Sequence, residues 1–229
     1  DQGQSWVFEI NAARSKSKLD SKVEIFHASG EPVERIKLQA VRDSCFTCRG
    51  KDSDTSNDIR VHNWREMELN EYLYSNGEVV KLWLYPRGPD SGFKVYPGVG
   101  KRRGYFGTTA LSHALGQPAT IVEPIPAGRE PAPNGLPIYT ILYENDDDSD
   151  RHLGSDSRLD FIAPESGDYV VRVSDVRGFG GTEYAYTLKI RQPNPEFKVA
   201  VSGTKDPVVN PGSGKEFTFK VDRFDEFMG

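Results

Sequence analysis

Residues 158–174 read RLDFIAPESGDYVVRVS and hold two short β-type runs around one turn. The first run is Arg158–Ile162, and residues 163–168 carry the Pro, Ser, Gly and Asp that are typical of turns. In the second run Tyr169, Val171 and Val173 share one face and alternate with polar positions. This period of two predicts antiparallel strands that are buried on one side.

The same pattern recurs along the chain. Further strands are predicted at Ser5–Ala12, Ser21–His27, Val33–Val41, Glu71–Tyr74, Val79–Tyr85, Pro137–Tyr143 and Tyr184–Arg191. Asn76-Gly77 between two of these runs predicts a tight hairpin with a type I′ turn. Helical patterning is limited to Thr109–Leu115, which predicts a turn or two of helix ended by Gly116. The sequence therefore predicts an all-β, antiparallel fold.

Composition narrows the class of protein. The chain has 229 residues, 36% of them hydrophobic, with 22 Gly and 15 Pro, as expected of a loop-rich β protein. No apolar run approaches the roughly 18 residues of a membrane-spanning helix. A net charge of −5 predicts neither a nucleic-acid partner nor an anionic membrane surface.

The most distinctive segment is Glu144–Asp160, with the sequence ENDDDSDRHLGSDSRLD. Its acidic residues outnumber its two arginines so strongly that it accounts for the whole net charge of the chain. Carboxylate and amide oxygens are the ligands that Ca²⁺ requires. The predicted calcium ligands are Asn145, Asp146, Asp147, Asp148, Asp156 and Asp160. The alternative is a loop whose Asp residues form Asx-turns and pair with Arg151 and Arg158.

The C-terminal part of the chain is separated by a stiff linker, Gln192-Pro193-Asn194-Pro195. Two further alternating runs follow at Phe197–Ser202 and Glu216–Val221. Because two strands cannot bury a core alone, we expect residues 193–229 to be the linker and the start of a truncated following β-sandwich domain. The chain would then be a fragment of a longer modular protein.

Several of these runs resemble one known family. Asp156–Val173, with its acidic turn, Pro/Gly turn and Gly167-Asp168-Tyr169-Val170-Val171-Arg172-Val173, is similar to the C-terminal half of the bacterial pre-peptidase C-terminal (PPC) domain. Tyr184–Leu188 resembles the closing strand of that family, and Ser5–Ala12 and Leu19–Gly30 resemble its opening strands. The resemblance implies a jelly-roll-like β-sandwich over residues 1–192, interrupted by a β-rich insertion at residues 43–136. It also implies a non-catalytic module of secreted proteins, of which some relatives bind calcium, proteins or polysaccharides.

The insertion contains aromatic residues that could stack on sugar rings. The candidate ligand-binding residues are Trp64, Trp83, Tyr85 and Tyr105. Alternation places Trp83 and Tyr85 on one face of their strand and Leu82 and Leu84 on the other. The competing interpretation is that these rings form the core of the insertion.

Catalytic motifs are weak. Gly88-Pro89-Asp90-Ser91-Gly92 superficially resembles the surroundings of a nucleophilic serine, but a tight turn explains it, and His62 and His113 lack a recognisable context. Cys45 and Cys48 are interpreted as two ordinary small side chains, with a local disulfide or redox chemistry as alternatives. The basic run Gly98–Gly104 is interpreted as a solvated loop. No catalytic residue is assigned.

These patterns predict a non-catalytic accessory module of a secreted, periplasmic or cell-surface bacterial protein. Its expected role is adhesion, substrate targeting or spacing, with Ca²⁺ or arginine pairs holding the acidic loop. The expected partners are a polysaccharide or an extracellular protein and the neighbouring domains of the same chain. The alternatives are a carbohydrate-binding module that uses the aromatic residues of the insertion and, as a remote one, a hydrolase.

Overall fold

A computed structural model describes residues 1–53, 57–88, 90–98, 101–202 and 208–225. The predicted all-β, antiparallel fold is confirmed, since every strand pairing given for these residues is antiparallel. The strands are β1 (Ser5–Asn11), β2 (Ser21–His27), β3 (Glu34–Cys45), β4 (Asp58–Ile59), β5 (Tyr72–Ser75), β6 (Glu78–Leu84), β7 (Phe93–Val95), β8 (Pro118–Pro124), β9 (Ile138–Leu142), β10 (Glu144–Asn145), β11 (Arg158–Ile162), β12 (Tyr169–Asp175), β13 (Thr187–Arg191), β14 (Glu196–Ser202) and β15 (Thr218–Phe224). Single-turn 3₁₀ helices occur at Ala13–Ser15 and Trp64–Glu66.

Two three-stranded sheets form the sandwich. Their strand orders are β11-β1-β13 and β10-β2-β12. The alternating apolar residues of both sheets meet in one core that includes Phe8, Val23, Ile25, Leu159 and Phe161. Each of these side chains is at most 6% exposed, so the period-two pattern of the sequence is used to cover one face of each sheet.

The largest sheet has seven strands in the order β4-β7-β6-β5-β8-β3-β9. Strands β4 to β8 lie within residues 43–136, whereas β9 and most of β3 lie outside that interval, and these two strands pair with each other. Strand β3 also pairs with β8 along seven residues. The segment predicted as an insertion therefore continues a sheet that β3 and β9 begin. One face of this sheet packs on Phe46, Leu73 and Ile121, and the other on Leu38 and Val122.

The Asn-Gly hairpin is confirmed. Ser75 pairs with Glu78, so Asn76 and Gly77 alone form the turn between β5 and β6. Asn76 has a φ of +48° and Gly77 a φ of +99°, and a type I′ turn requires positive φ at both positions.

Three expectations about the insertion are wrong. Residues 109–115 form no helix, because the backbone of His113 pairs with Lys51 across an isolated bridge. The run Gly98–Gly104 is not wholly solvated, because Arg102 is 1% exposed and paired with buried Glu78; Val99 and Gly100 lie outside the described residues. The predicted alternation, with Trp83 and Tyr85 on one face of the strand and Leu82 and Leu84 on the other, is interrupted by a register shift between Leu82 and Leu84 in β6.

The chain divides into two compact units, Asp1–Ile190 and Arg191–Gly229. In the second unit β14 and β15 form a two-stranded sheet. Its apolar positions are exposed, with Phe197 at 52% and Phe219 at 62%. The Asp225 carboxylate pairs with Arg191 and accepts a hydrogen bond from the Asn194 amide at 2.7 Å. Within the described ranges, no helix has the length and apolar character needed to cross a membrane.

Candidate functional site

The acidic segment connects the two sheets of the sandwich. It begins in β10, which pairs with β2, and it ends in β11, which pairs with β1. The short loop between these strands carries many carboxylates. These groups repel one another unless each is paired with a positive group or a hydrogen-bond donor.

Asp156 is the most deeply anchored carboxylate of the segment. It is fully buried and accepts hydrogen bonds from the backbone amides of Ala12 at 2.9 Å, Ala13 at 2.7 Å and Arg14 at 3.2 Å. The Arg14 Nε lies 2.6 Å from Asp156 Oδ2. Burial raises the pKa of Asp156, but the Arg14 side chain and the three amides outweigh it, so the pKa lies below its usual range. An ionised carboxylate thus fixes the turn that follows β1.

Asp148 organises the loop itself. It is also fully buried, and its carboxylate accepts hydrogen bonds from the amides of Asp150 at 3.2 Å, His152 at 2.7 Å and Leu153 at 3.0 Å. This is the Asx-turn arrangement that the sequence allowed as an alternative to calcium.

The other five acidic side chains pair with groups on several elements. The partners are Lys22 for Glu144 at 2.9 Å, the Thr109 hydroxyl for Asp146 at 2.7 Å, Arg151 for Asp147 at 2.8 Å, Arg103 for Asp150 at 2.6 Å, and Arg158 for Asp160 at 2.6 Å. All seven carboxylates therefore have a partner within the chain. The segment ties the sandwich to residues 103 and 109 of the insertion.

The predicted calcium ligands lie along this loop. Asn145 is buried, and its side-chain amide donates to the Arg158 carbonyl at 2.9 Å. Among the described residues, no three or more His, Cys, Asp or Glu side chains are grouped so that they could hold a metal ion. Calcium at the six predicted residues stays a prediction, and the Asx-turn and arginine pairs of the alternative are both present.

Asp147 has an unusual environment. Burial raises its pKa to about 6, with neighbouring Asp146 and Asp20 adding to the effect and Arg151 opposing it. The ion pair with Arg151 at 2.8 Å is thus too weak to offset the loss of solvation and the nearby negative charge. Asp147 titrates closer to neutral pH than an ordinary aspartate.

A cleft of about 280 Å³ adjoins the acidic segment. Its walls come from Lys22 of β2, from residues 140–142 and 144–146, from Thr108, Thr109 and Leu111, and from Gly77 and Val176. It lies where the sandwich meets the seven-stranded sheet. No sequence pattern indicates this cleft, because its walls are up to 154 residues apart in the chain, from Lys22 to Val176.

The four candidate ligand-binding aromatics are not brought together. Among the described residues, no ring contact joins any two of them, since Trp83 contacts Tyr96, Tyr85 contacts Phe93 and Tyr105 contacts Tyr72. Trp64 is half-buried, with the Arg60 and Arg65 guanidinium groups 6.0 Å and 5.5 Å from its ring centroid. Only Tyr85 is exposed, at 46%.

The backbone of Gly98 lies directly against the Trp83 ring. A Cβ at Gly98 would come within 1.8 Å of that ring. Any residue other than glycine would therefore clash with the Trp83 ring in its present position. Phe93, the ring partner of Tyr85, belongs to the cluster that contains Leu82, so the predicted separation of Tyr85 from the Leu82 face is wrong. The physical reason is the register shift in β6.

A different aromatic row crosses the sheet. Tyr74 of β5 and Tyr139 of β9 stack with centroids 3.9 Å apart, and Tyr72 contacts Tyr105 and Phe106. All five rings are partly buried against one cluster. Tyr72 and Tyr74 sit two residues apart, so alternation places them on one face, but their approach to Tyr139 depends on the order of strands in the sheet.

Sequence reasoning also missed a buried ionic cluster in the insertion. Glu78 is 1% exposed and contacts Arg102 Nη2 at 3.1 Å, the Leu111 amide at 2.8 Å and His113 Nε2 at 2.6 Å. Burial raises the pKa of Glu78, but His113, Arg102 and the Leu111 amide outweigh it and lower the pKa below its usual range. Glu78 follows the Asn-Gly turn, a position that ordinarily indicates an exposed side chain.

The weak catalytic motif forms a turn. The Ser91 hydroxyl accepts hydrogen bonds from the amides of Arg87 and Gly88 and donates to the Gly88 carbonyl at 2.9 Å. Pro89 lies outside the described residues. Cys45 and Cys48 are free thiols, the second of them exposed.

The site therefore consists of a braced acidic loop and an adjoining polar cleft. The resemblance to the PPC domain rests on the quoted sequence motifs and stays a prediction. No protein-family model, curated protein or solved structure matches this chain.

Proposed function

We propose that this chain is a non-catalytic accessory module of a secreted or cell-surface protein, serving in adhesion, substrate targeting or spacing. The observation that carries the proposal is the partnering of all seven carboxylates between residues 144 and 160. These partners hold the loop in one conformation, which supports a structural role for the segment. The segment serves as an internal brace.

A brace of this kind suits a module that must keep its shape. The loop joins the two sheets of the sandwich, and it reaches Arg14, Arg103 and Thr109 on other elements. Several charge pairs acting as a network stabilise more effectively than isolated surface pairs. The resulting rigidity fits spacing between neighbouring domains or the presentation of a fixed surface to a polymer.

Carbohydrate binding is the second candidate, favoured by the half-buried tyrosines of the seven-stranded sheet. The Tyr74–Tyr139 stack and the neighbouring Tyr72 offer aromatic surface, and the Lys81 Nζ lies 5.3 Å from the Tyr72 ring centroid. Flat rings beside polar groups are suited to the C–H faces and hydroxyls of sugars. This row includes Tyr105 of the four residues predicted from the sequence, and it is a more suitable platform than Trp64, Trp83 and Tyr85.

Affinity electrophoresis of the whole 229-residue chain tests the proposal. Native gels would contain a β-glucan, a xylan, a galactomannan or a pectin, and the same fractions would be assayed for release of reducing sugar and of peptide. We expect retardation by at least one polymer without hydrolysis for a targeting module, and neither for a pure spacer.

The variant Tyr74→Ala tests whether the tyrosine row, rather than another surface of the module, binds the polysaccharide. Tyr186→Ala is the control, because Tyr186 is 48% exposed and lies outside this row. Loss of retardation in Y74A alone would assign binding to the tyrosine row. Hydrolytic activity on any polymer or peptide would overturn the non-catalytic assignment if that activity stays with the chain through further purification.

A further inference from the structure

The cleft beside the acidic segment has the size of a small-ligand site. Its volume of about 280 Å³ is just below the range for drug-sized ligands, roughly 300–1,000 Å³, so only a small molecule fits. Polar walls are supplied by Lys22, Thr140, Asn145 and Asp146, and apolar walls by Leu111 and Val176. A few polar groups among apolar ones are typical of sites that orient a ligand.

Two side chains in the wall carry oxygen atoms with unused hydrogen-bonding capacity. Asn145 is only 4% exposed; its Nδ2 donates to the Arg158 carbonyl and to Ser149, while its Oδ1 accepts no hydrogen bond from the described residues. Asp146 uses Oδ1 for the Thr109 hydroxyl, and its Oδ2 has no partner in the same part of the chain. Neither oxygen is among the fully buried side-chain atoms without a partner, so both acceptors are accessible to a molecule that enters the cleft.

The charges of the cleft favour an uncharged ligand. The Lys22 ammonium lies 2.9 Å from Glu144 and 3.2 Å from Glu24. Burial lowers the pKa of Lys22, but these two carboxylates outweigh it and raise the pKa, so the group stays cationic. A cation entering the cleft would meet Lys22, and an anion would meet Asp146 and Glu144. Neutral hydroxyl groups can both donate to the carboxylates and accept from the ammonium.

We infer that this cleft binds one residue of a neutral sugar. Its hydroxyls donate to Asn145 Oδ1 and Asp146 Oδ2, and the C–H face packs on Leu111 and Val176. The inference rests on the proposed targeting role and names the ligand class of that role. It also places the site beside the acidic segment, in a cleft that is lined by none of the four aromatic residues that the sequence suggested.

Isothermal titration of the whole chain tests this inference. The probes are the methyl glycosides of glucose, galactose, mannose and N-acetylglucosamine, with CaCl₂ and sodium phosphate as charged probes. We expect at least one glycoside to bind and neither charged probe to compete with it. Binding of no glycoside overturns the inference, and so does Ca²⁺ or phosphate that displaces the glycoside.

Three variants locate the site. Asp146→Ala removes a lining carboxylate, and Thr140→Ala changes an exposed lining residue without disturbing any hydrogen bond given for it. Thr187→Ala is the matched control, since it is an exposed strand threonine that does not line the cleft. We expect D146A to weaken glycoside binding at least about fivefold, the loss of one net hydrogen bond, and T140A to weaken it while T187A does not.

Unchanged binding in both D146A and T140A would overturn the cleft as the site. Polysaccharide retardation that persists in these two variants would overturn the cleft while leaving the targeting role intact. Hydrolysis of the polymers would instead overturn the proposed function, so the two failures are distinguishable.

Discussion

His113 Nε2 lies 2.6 Å from Glu78 Oε2 inside the insertion, although the two residues are 35 positions apart and both are buried. Arg102 lies on the same carboxylate, with Nη2 3.1 Å from Glu78 Oε2. The His113 ring stacks on Phe46 with centroids 5.0 Å apart. The Glu78 carboxylate, at the start of β6, therefore holds Arg102 and His113 against the β5–β6 hairpin.

Removing that carboxylate should destabilise the insertion. We expect Glu78→Ala to lower the free energy of unfolding by about 3–5 kcal/mol, because the buried Arg102 guanidinium would lose the Glu78 carboxylate that balances its charge. Urea denaturation followed by tryptophan fluorescence measures the change. The control is Glu31→Ala, an exposed position, and an E78A midpoint equal to that of E31A would contradict the assigned role.

The brace at Asp156 offers a second test. Asp156→Ala leaves three backbone amides and the Arg14 side chain without their acceptor, so we expect a loss of roughly 1–3 kcal/mol. Asp168→Ala changes an exposed aspartate in the turn before β12 and should be nearly neutral. Equal denaturation midpoints for the two variants would show that Asp156 does not brace the fold.

Asp147 should give a pH-dependent stability of definite sign. Its folded pKa of about 6 is above the unfolded value, so between these two pH values the folded state keeps a proton that the unfolded state has lost. The wild-type free energy of unfolding should therefore fall relative to Asp147→Asn as the pH rises, by roughly 1–2 kcal/mol from pH 4 to pH 7 once partial exposure is allowed for. Denaturation of both proteins at each pH measures the difference, and parallel pH curves would rule the effect out.

Calcium and arginine are competing explanations of the ordered acidic loop. A bound Ca²⁺ would need carboxylate oxygens of Asp156, Asp147 and Asp160, which Arg14, Arg151 and Arg158 now contact. We therefore expect the same melting temperature in CaCl₂ and in EDTA. A calcium site would instead add about 2.7 kcal/mol at a hundredfold excess over Kd, and a melting temperature that rises with CaCl₂ would establish calcium as the stabilising ligand.

Gly98 provides a steric test in the insertion. Gly98→Ala places a methyl group within 1.8 Å of the Trp83 ring at a φ of +86°, whereas Gly116→Ala has a similar φ of +78° and no atom within 4 Å. Both variants share the backbone strain, and only the first has the clash. We expect G98A to be less stable than G116A by about 1–3 kcal/mol, with a shifted tryptophan emission. Equal stability would show that Trp83 moves aside freely.

Local patterns were sufficient to predict most strands. The alternation of Tyr169, Val171 and Val173 predicts β12, and these side chains do pack inward. The Asn76-Gly77 turn needs nothing beyond its own two residues, since their backbone conformations define it. These predictions succeed because period-two burial and turn chemistry act over a few residues.

The same reasoning failed where contacts are distant. Thr109–Leu115 has a helical composition, but His113 pairs with Lys51, and the Leu111 amide donates to Glu78. Arg102 sits in a basic run, and its burial is favourable because Glu78 and the carbonyls of Asp52 and Leu111 surround its guanidinium group. Tertiary hydrogen bonds override weak local preferences in such segments.

The sequence alone determined the all-β class, the hairpin and the concentration of negative charge at residues 144–160, because each depends on neighbouring residues. Only the tertiary structure decided which partner each carboxylate takes, that β3 and β9 share one sheet with the insertion, and that Lys22 and Asp146 line one cleft. Those features depend on which distant strands lie side by side, and strand order is set by the packing of the whole sheet rather than by any local pattern.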